Sequence, residues 1–323
     1  MDSFSRGMSP QAPSNRTFLP GFLRLAIANI ISNLMVPLAG LIDTAFLGHL
    51  ADIRYLAGVA LATVIFNVVY WSFGFLRMGT TGLTAQARGR EDRTELWLIL
   101  LRGGLVAIAF GLLILLLQVP IREVGFALLS ADPEVKAAGY DFFNGRIWGA
   151  PAVLTNLVLM GWFLGREKGR WVILLSLIGN GGNVMLDYLF IRQFGWASAG
   201  AGWATALSQY LMMSTGFLLI LREGGLAPIK TVLPKVWNPA ELKGIFLLNR
   251  DILIRTFALI FSFALFTNFS STMGTQTLAA NTLLLQVVTL SAYFIDGIAF
   301  ATESFAGRGY GSGEHHQLRQ LLW

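Results

Sequence analysis

Residues 105–117 carry no charge, and they lie inside an apolar block, 96–117, with a single charged residue, Arg102. A helix needs roughly 20 predominantly apolar residues to cross the hydrocarbon core of a bilayer. About eight segments meet that requirement: 21–47, 56–86, 96–120, 135–164, 171–191, 200–221, 244–274 and 277–309. Several exceed the minimum, so tilted or protruding helices are expected. The rest of the chain cannot supply a water-facing surface: 13% of residues are charged, against about 25% in a soluble domain. The fold class is therefore an all-α polytopic membrane protein. Residues 1–20 are polar, contain Pro and have no apolar h-region, so the first span is read as part of the mature chain. Pro37 and Pro151 fall inside spans one and four. Each removes a backbone donor and is expected to kink its helix.

Several function classes fall away at once. The chain has no cysteine, which removes disulfides, thiolate metal sites and thiol catalysis. Its histidines are His49, His315 and His316, all outside the spans. No HExxH, GxSxG or Walker A pattern occurs, so neither an enzyme, a metal site nor an ATP engine is indicated. Uphill transport would have to use an ion gradient or a partner. The net charge of +6 lacks the basic stripe with interleaved aromatics of a nucleic-acid binder.

The excess charge sorts by side instead. Alternate loops hold Arg6 and Arg16; Arg88, Arg90 and Arg93; Arg166, Lys168 and Arg170; Arg222, Lys230, Lys235 and Lys243; Arg308 and Arg319. The opposite loops hold only Arg54, Arg122, Lys136 and Arg192. The positive-inside rule places the N-terminus in the cytoplasm, and the chain is expected to be multi-pass in the cell's plasma (inner) membrane. The polar, Pro-containing stretch 222–243 reads as a cytoplasmic linker. It separates a tail (1–20) and a six-span lobe (21–221) from the start of a second lobe (244–323). A weak repeat supports the division: 56–89 aligns without gaps on 278–311, matching Leu56 with Leu278, Ala57 with Ala279, Leu61 with Leu283, Thr80 with Thr302 and Gly89 with Gly311. Repeats of one orientation imply lobes related by an axis along the membrane normal.

Ionisable residues deep in a span mark functional sites by default. Asp43 in span one and Asp187 in span five sit on helices running the same way. Each lies roughly four residues, or about 6 Å, from the outer helix end. Two acids at one depth in one bundle point to a shared site; the plain alternative is a pair of snorkelling interfacial acids. Asn180, Asn183 and Asp187 share one helical face, beside Gly179, Gly181 and Gly182, which would equally suit a polar helix interface. In span eight, Thr282, Thr289, Asp296 and Glu303 repeat every seven residues, with Gln286 and Tyr293 beside them. This stripe reads as a cavity wall of the second lobe or an interhelical hydrogen-bond seam. Arg77 and Arg146 are partner or anchor candidates near span ends.

The segments VPLAGLIDTAFLGHL (36–50), RMGTTGLTAQA (77–87), NLVLMGWFLG (156–165), LNRDILIR (248–255) and AYFIDGIAFATE (292–303) together resemble multidrug and toxic compound extrusion (MATE) transporters of the DinF type. The resemblance covers nearly the whole chain. It implies a twelve-helix fold of two six-helix lobes, exchanging H⁺ or Na⁺ for organic, often cationic, drugs, and monomeric when full length. It maps the coupling acids of the N-terminal lobe onto Asp43 and Asp187, with Asn183, Thr205 and Asn156 grouped around them and Pro37 in the helix that bends. The second-lobe acids that serve Na⁺ elsewhere are not evident, which favours H⁺. No cofactor is implied beyond the coupling ion. The chain ends inside what resembles the ninth helix, so the second lobe is expected to be incomplete. Residues 1–323 alone are then expected to be unstable or inactive, unless two copies complete it. A lipid-linked flippase of the same superfamily and a truncated, non-transporting membrane subunit are the alternatives. The flippases usually carry more basic cavity residues.

Overall fold

The computed structural model describes residues 15–323 apart from 51, 225–226, 274, 315–317 and 319–323; side chains at 15–18, 224, 227–228, 239–249 and several between 264 and 286 also fall outside the description. Every described element is helical. In chain order they are α1 (Asn15–Gly48), α2 (Arg54–Trp71), α3 (Gly74–Gly89), α4 (Arg93–Leu116), α5 (Gln118–Ala127), α6 (Pro133–Arg146), α7 (Ala150–Gly165), α8 (Gly169–Asp187), α9 (Ala197–Gly224), α10 (Ala227–Val232), α11 (Pro239–Thr272) and α12 (Thr275–Ser312). Among the described residues, six stretches are long and apolar enough to cross a membrane: Leu19–Gly48, Arg54–Gly89, Arg93–Leu116, Pro133–Gly165, Gly169–Gln193 and Ala197–Glu223. The seventh and eighth expected spans correspond to α11 and α12, helices of 34 and 38 residues.

Span two is not one helix. It breaks at Ser72–Phe73 between α2 and α3. Ser72 Oγ donates to the Val68 carbonyl at 2.8 Å, a back-bond that bends helices, and Gly74 follows with its low helix propensity. The matching stretch of α12, Tyr293 to Asp296, has neither feature and runs unbroken. Span four breaks after Arg146 into a 3₁₀ turn, Ile147–Gly149, with Pro151 in the first turn of α7. There the missing donor costs nothing, because a first-turn N–H has no helical partner. Pro37 lies inside α1, which is continuous from Asn15 to Gly48. The stretch read as a linker is also largely helical, formed by α10 and a 3₁₀ turn, Leu233–Lys235. Arg102, the lone charge within the apolar block of span three, is buried and donates to the Lys235 carbonyl at 3.2 Å, which ties that segment to α4.

Small residues set the tightest approaches, as expected where van der Waals packing drives helix association. A Cβ on Gly161 of α7 would lie 2.5 Å from the Arg77 carbonyl oxygen, and one on Gly165 would lie 2.6 Å from that of Thr81. α12 packs on α1 and α3. Asn29 and Asn33 of α1 donate to the Gly297 and Tyr293 carbonyls at 3.4 and 3.3 Å. Ser32 hydrogen-bonds Ser176 on the other flank, so α1 is held between α12 and α8. The α3–α12 crossing follows the internal repeat: a Cβ on Gly89 would meet the Arg308 carbonyl oxygen at 2.2 Å, and one on Gly311 would meet that of Gln86 at 2.1 Å. In the alignment Gly89 matches Gly311 and Gln86 matches Arg308, so the two contacts exchange under it, as a twofold axis requires.

Candidate functional site

A cavity of about 520 Å³ opens within the N-terminal bundle, lined from α1, α2, α6, α8 and α9. Its polar wall comprises Asp43, Thr44, Thr63, Asn67, Arg146, Asn180, Asn183, Thr205, Ser208 and Gln209. Asp43 projects from α1 one turn before that helix ends at Gly48. Asp187 is the last residue of α8 and is fully buried. Immediately after it the backbone widens into a π-helical stretch, Tyr188–Gln193, an irregularity frequent at functional sites. The structure sets the two carboxyl groups side by side, close enough to interact directly. Each keeps one buried oxygen, Oδ1, without a hydrogen-bond partner.

The neighbours of this pair divide into those that touch it and those that do not. Asn183 Nδ2 donates to Asp187 Oδ2 at 3.0 Å, one helical turn away on the same face. Asn180 lines the cavity, but its amide donates to the Ser176 carbonyl at 2.9 Å. Thr205 was expected to steady the carboxyl groups. It lines the cavity, yet its hydroxyl donates to the Ala201 carbonyl of its own helix at 2.8 Å. Asn156 was expected in the pocket wall and is instead buried between α7 and α9, where Nδ2 donates to the Gln209 backbone carbonyl and Oε1 at 2.9 and 3.0 Å. It therefore orients Gln209, which does face the cavity.

Arg146 is the residue most undervalued by the sequence. It lines the cavity from the end of α6 and stacks on Phe66 and Phe142, with 4.6 and 5.5 Å to the ring centroids. Its guanidinium interacts electrostatically with Asp43 and with Tyr70, whose buried hydroxyl has no hydrogen-bond partner. One cation thus faces the Asp43 member of the carboxyl pair.

The second set of acids lies elsewhere. Glu303 reaches over α3, where a Cβ on Gly82 would sit 3.5 Å from its Oε1. Arg77, also on α3, stacks on Phe300 of α12 at 3.9 Å and faces Glu303 and Asp296 electrostatically. Asp296 is exposed and Tyr293 half-buried, the latter's carbonyl taken by Asn33. The Gln286 side chain lies outside the described residues. Arg77 and Arg146 are both interior partners rather than interfacial anchors.

A family model described as MatE matches residues 28–189 and 252–322. The chain is 35% identical over 294 residues to DNA damage-inducible protein F of Escherichia coli (strain K12), covering 91% of this chain and 64% of that protein. It is 25% identical over 300 residues to a probable multidrug resistance protein NorM of Thermotoga maritima, covering 91% and 64%. The chain therefore spans about two-thirds or less of these relatives' length. Among solved structures, a multidrug resistance MATE family transporter of the MOP superfamily in an outward-facing conformation superimposes with a TM-score of 0.84 at 22% identity, covering 93% of this chain and 67% of the other. A MOP superfamily transporter from Pyrococcus furiosus superimposes with a TM-score of 0.83 at 22% identity and equal coverage. The family model, which matches well over half of the chain, and the 35% identity to the DinF protein make this chain a member of the MatE family, in its DinF-like group.

Proposed function

We propose that this chain forms the coupling half of a secondary transporter that exports small organic, often cationic, compounds in exchange for H⁺. Its N-terminus lies on the cytoplasmic face of the plasma (inner) membrane. The observation that carries the proposal is Asp43, in the wall of a cavity that also holds Arg146, beside the fully buried Asp187. Two neighbouring carboxylates repel if both are ionised, and one proton shared by the pair removes the repulsion. The single negative charge left is balanced by Arg146. A cationic compound entering the cavity supplies the positive charge that the proton otherwise supplies. Proton and compound then compete for one carboxyl pair, and competition for one site is what exchange requires. Asn183 holds Asp187 in place through either event. Pro37 leaves the Asn33 carbonyl without its helical donor, giving α1 a turn that can bend as the pair changes charge. Rocking of two lobes about the α3–α12 crossing would present the cavity to each side in turn.

The test uses a version extended to the relatives' full length, reconstituted in liposomes with a fluorescent organic cation. An imposed pH gradient should drive transport, and a Na⁺ gradient at fixed pH should not. Asp43→Asn and Asp187→Asn should each reduce the pH-driven rate to that of protein-free liposomes. Wild-type rates in both variants would refute the coupling role. Transport driven by Na⁺ alone would reassign the coupling ion.

A further inference from the structure

On the membrane face that carries Arg88, Arg90 and Arg93, a second cavity of about 390 Å³ lies between the α7–α8 turn and the end of α9. Its charged walls are Arg166, Lys168, Arg170, Arg222 and Glu223, completed by the half-buried Trp171 and by Leu219, which belongs to the core behind it. Glu223 is committed to bracing this wall: its Oε2 pairs with Arg166 Nη1 at 2.6 Å, and its Oε1 accepts from Trp171 Nε1 at 2.7 Å with Lys168 Nζ at 3.6 Å. Arg170 lies flat on the Trp171 ring, 4.7 Å from its centroid. Arg222 is exposed on the opposite rim and has no ion-pair partner among the described residues. Four cations against one carboxylate leave a concave, net positive site with an indole in its wall.

We infer that this cavity binds a phosphate group, and that its natural source is the phosphodiester of an anionic membrane lipid. Arginine's planar fork suits phosphate oxygens better than a hydrated point charge would. Basic pockets between membrane helices on the cytoplasmic side have the right charge and depth for an acidic headgroup. The Trp171 indole in the cavity wall is the kind of amphipathic ring found at headgroup level, and it offers the glycerol of a lipid an apolar contact that a free phosphate would leave unused. The ligand would tie the α7–α8 turn to α9, the two elements that carry Glu167 and the Thr205 and Gln209 wall of the transport cavity.

The experiment is native mass spectrometry of the purified full chain, titrated with phosphatidylglycerol or phosphatidylcholine, with inorganic phosphate in a separate arm. One phosphatidylglycerol should be retained in preference to phosphatidylcholine. At about fivefold per removed arginine, Arg170→Gln with Arg222→Gln should lower that affinity by more than tenfold. The control, Arg90→Gln with Arg93→Gln, removes the same charge from the same face outside the cavity and should leave the affinity unchanged. Equal retention of the two lipids, or an equal loss in the control, would overturn the site. Binding of inorganic phosphate as tight as that of phosphatidylglycerol would overturn the lipid as its source.

Discussion

Asp187 is buried with one of its oxygens on the Asn183 amide, so its position rests on a neighbour one helical turn away. Asn183→Ala would leave that buried oxygen without its amide partner, a loss of roughly 1–3 kcal/mol for a buried polar group. We expect normal membrane expression and transport slowed by about tenfold, read as an initial rate in liposomes; an unchanged rate would show that the carboxyl pair positions itself. Arg146 offers a sharper separation of charge from shape. Arg146→Gln removes the counter-charge and should abolish exchange. Arg146→Lys keeps the charge but loses the planar stacking on Phe66 and Phe142, so it should retain partial activity at reduced thermal stability. Equal loss in both variants would assign Arg146 to packing alone. Asp43, Asp187 and Asn183 were legible in the sequence because acids within apolar spans are rare and 183 and 187 share a helical face. The contacts of Thr205 and Asn156 were not. A hydroxyl in a helix can satisfy itself on the carbonyl four residues back, and nothing in the sequence says which way it turns. Arg146 looked like an anchor because its depth was measured from span ends, and the 3₁₀ turn that follows it is a tertiary feature.

At the scale of helices, the junction of the two repeats is fixed at its polar end by one carboxylate. Glu167, in the α7–α8 turn, pairs with Arg308 of α12 at 2.7 Å and with Arg88 of α3 at 3.4 Å. Its backbone has φ +54°, a left-handed conformation uncommon for a residue with a Cβ, so local preference is overridden to aim this side chain. An ion pair that joins α12 to two elements of the bundle is suited to hold one conformation closed at that face and must open in the other. Glu167→Gln should therefore shift the population toward opening at that face, seen as faster modification of a cysteine placed at Ala85, beneath the pair. No change in labelling would mean that the glycine crossing alone closes the junction. Gly311→Leu is expected to be far more severe, because a Cβ there falls 2.1 Å from the Gln86 carbonyl oxygen. It should separate α12 from α3 and reduce folded protein in the membrane. The Gly89–Gly311 match was visible in the sequence as a repeat. That the matched glycines pack at one crossing was not, since alignment carries no distance. The break of span two escaped for a related reason: Ser72 and Gly74 are each tolerated in helices, and only their combination with the back-bond to Val68 bends this one.

For the whole molecule, the decisive question is what covers α12. Its face toward the bundle is satisfied by Asn29, Asn33 and the glycine crossing, whereas its other face presents Asp296 between Ile295 and Ile298, which are 63% and 48% exposed. Arg77 has Nε and Nη2 buried without hydrogen-bond partners, and Arg255 of α11 interacts electrostatically with both Asp296 and Glu303. Two arginines and two acids thus share one region of α3, α11 and α12 with their polar atoms only partly paired. A charged side chain facing lipid at mid-membrane costs about 2.5–3.5 kcal/mol on insertion scales, so this face calls for polar cover from other helices. The same substitution should then act with opposite sign in two settings. In residues 1–323 alone, Asp296→Leu removes an uncovered charge and should raise the steady-state level in the membrane several-fold. In a version extended to the relatives' full length, Asp296 gains its cover, and Asp296→Leu should lower both thermal stability and transport by stranding Arg77 and Arg255. Equal effects in the two settings would show that Asp296 is adequately served by the arginines already present, and that the α12 face needs no further helices.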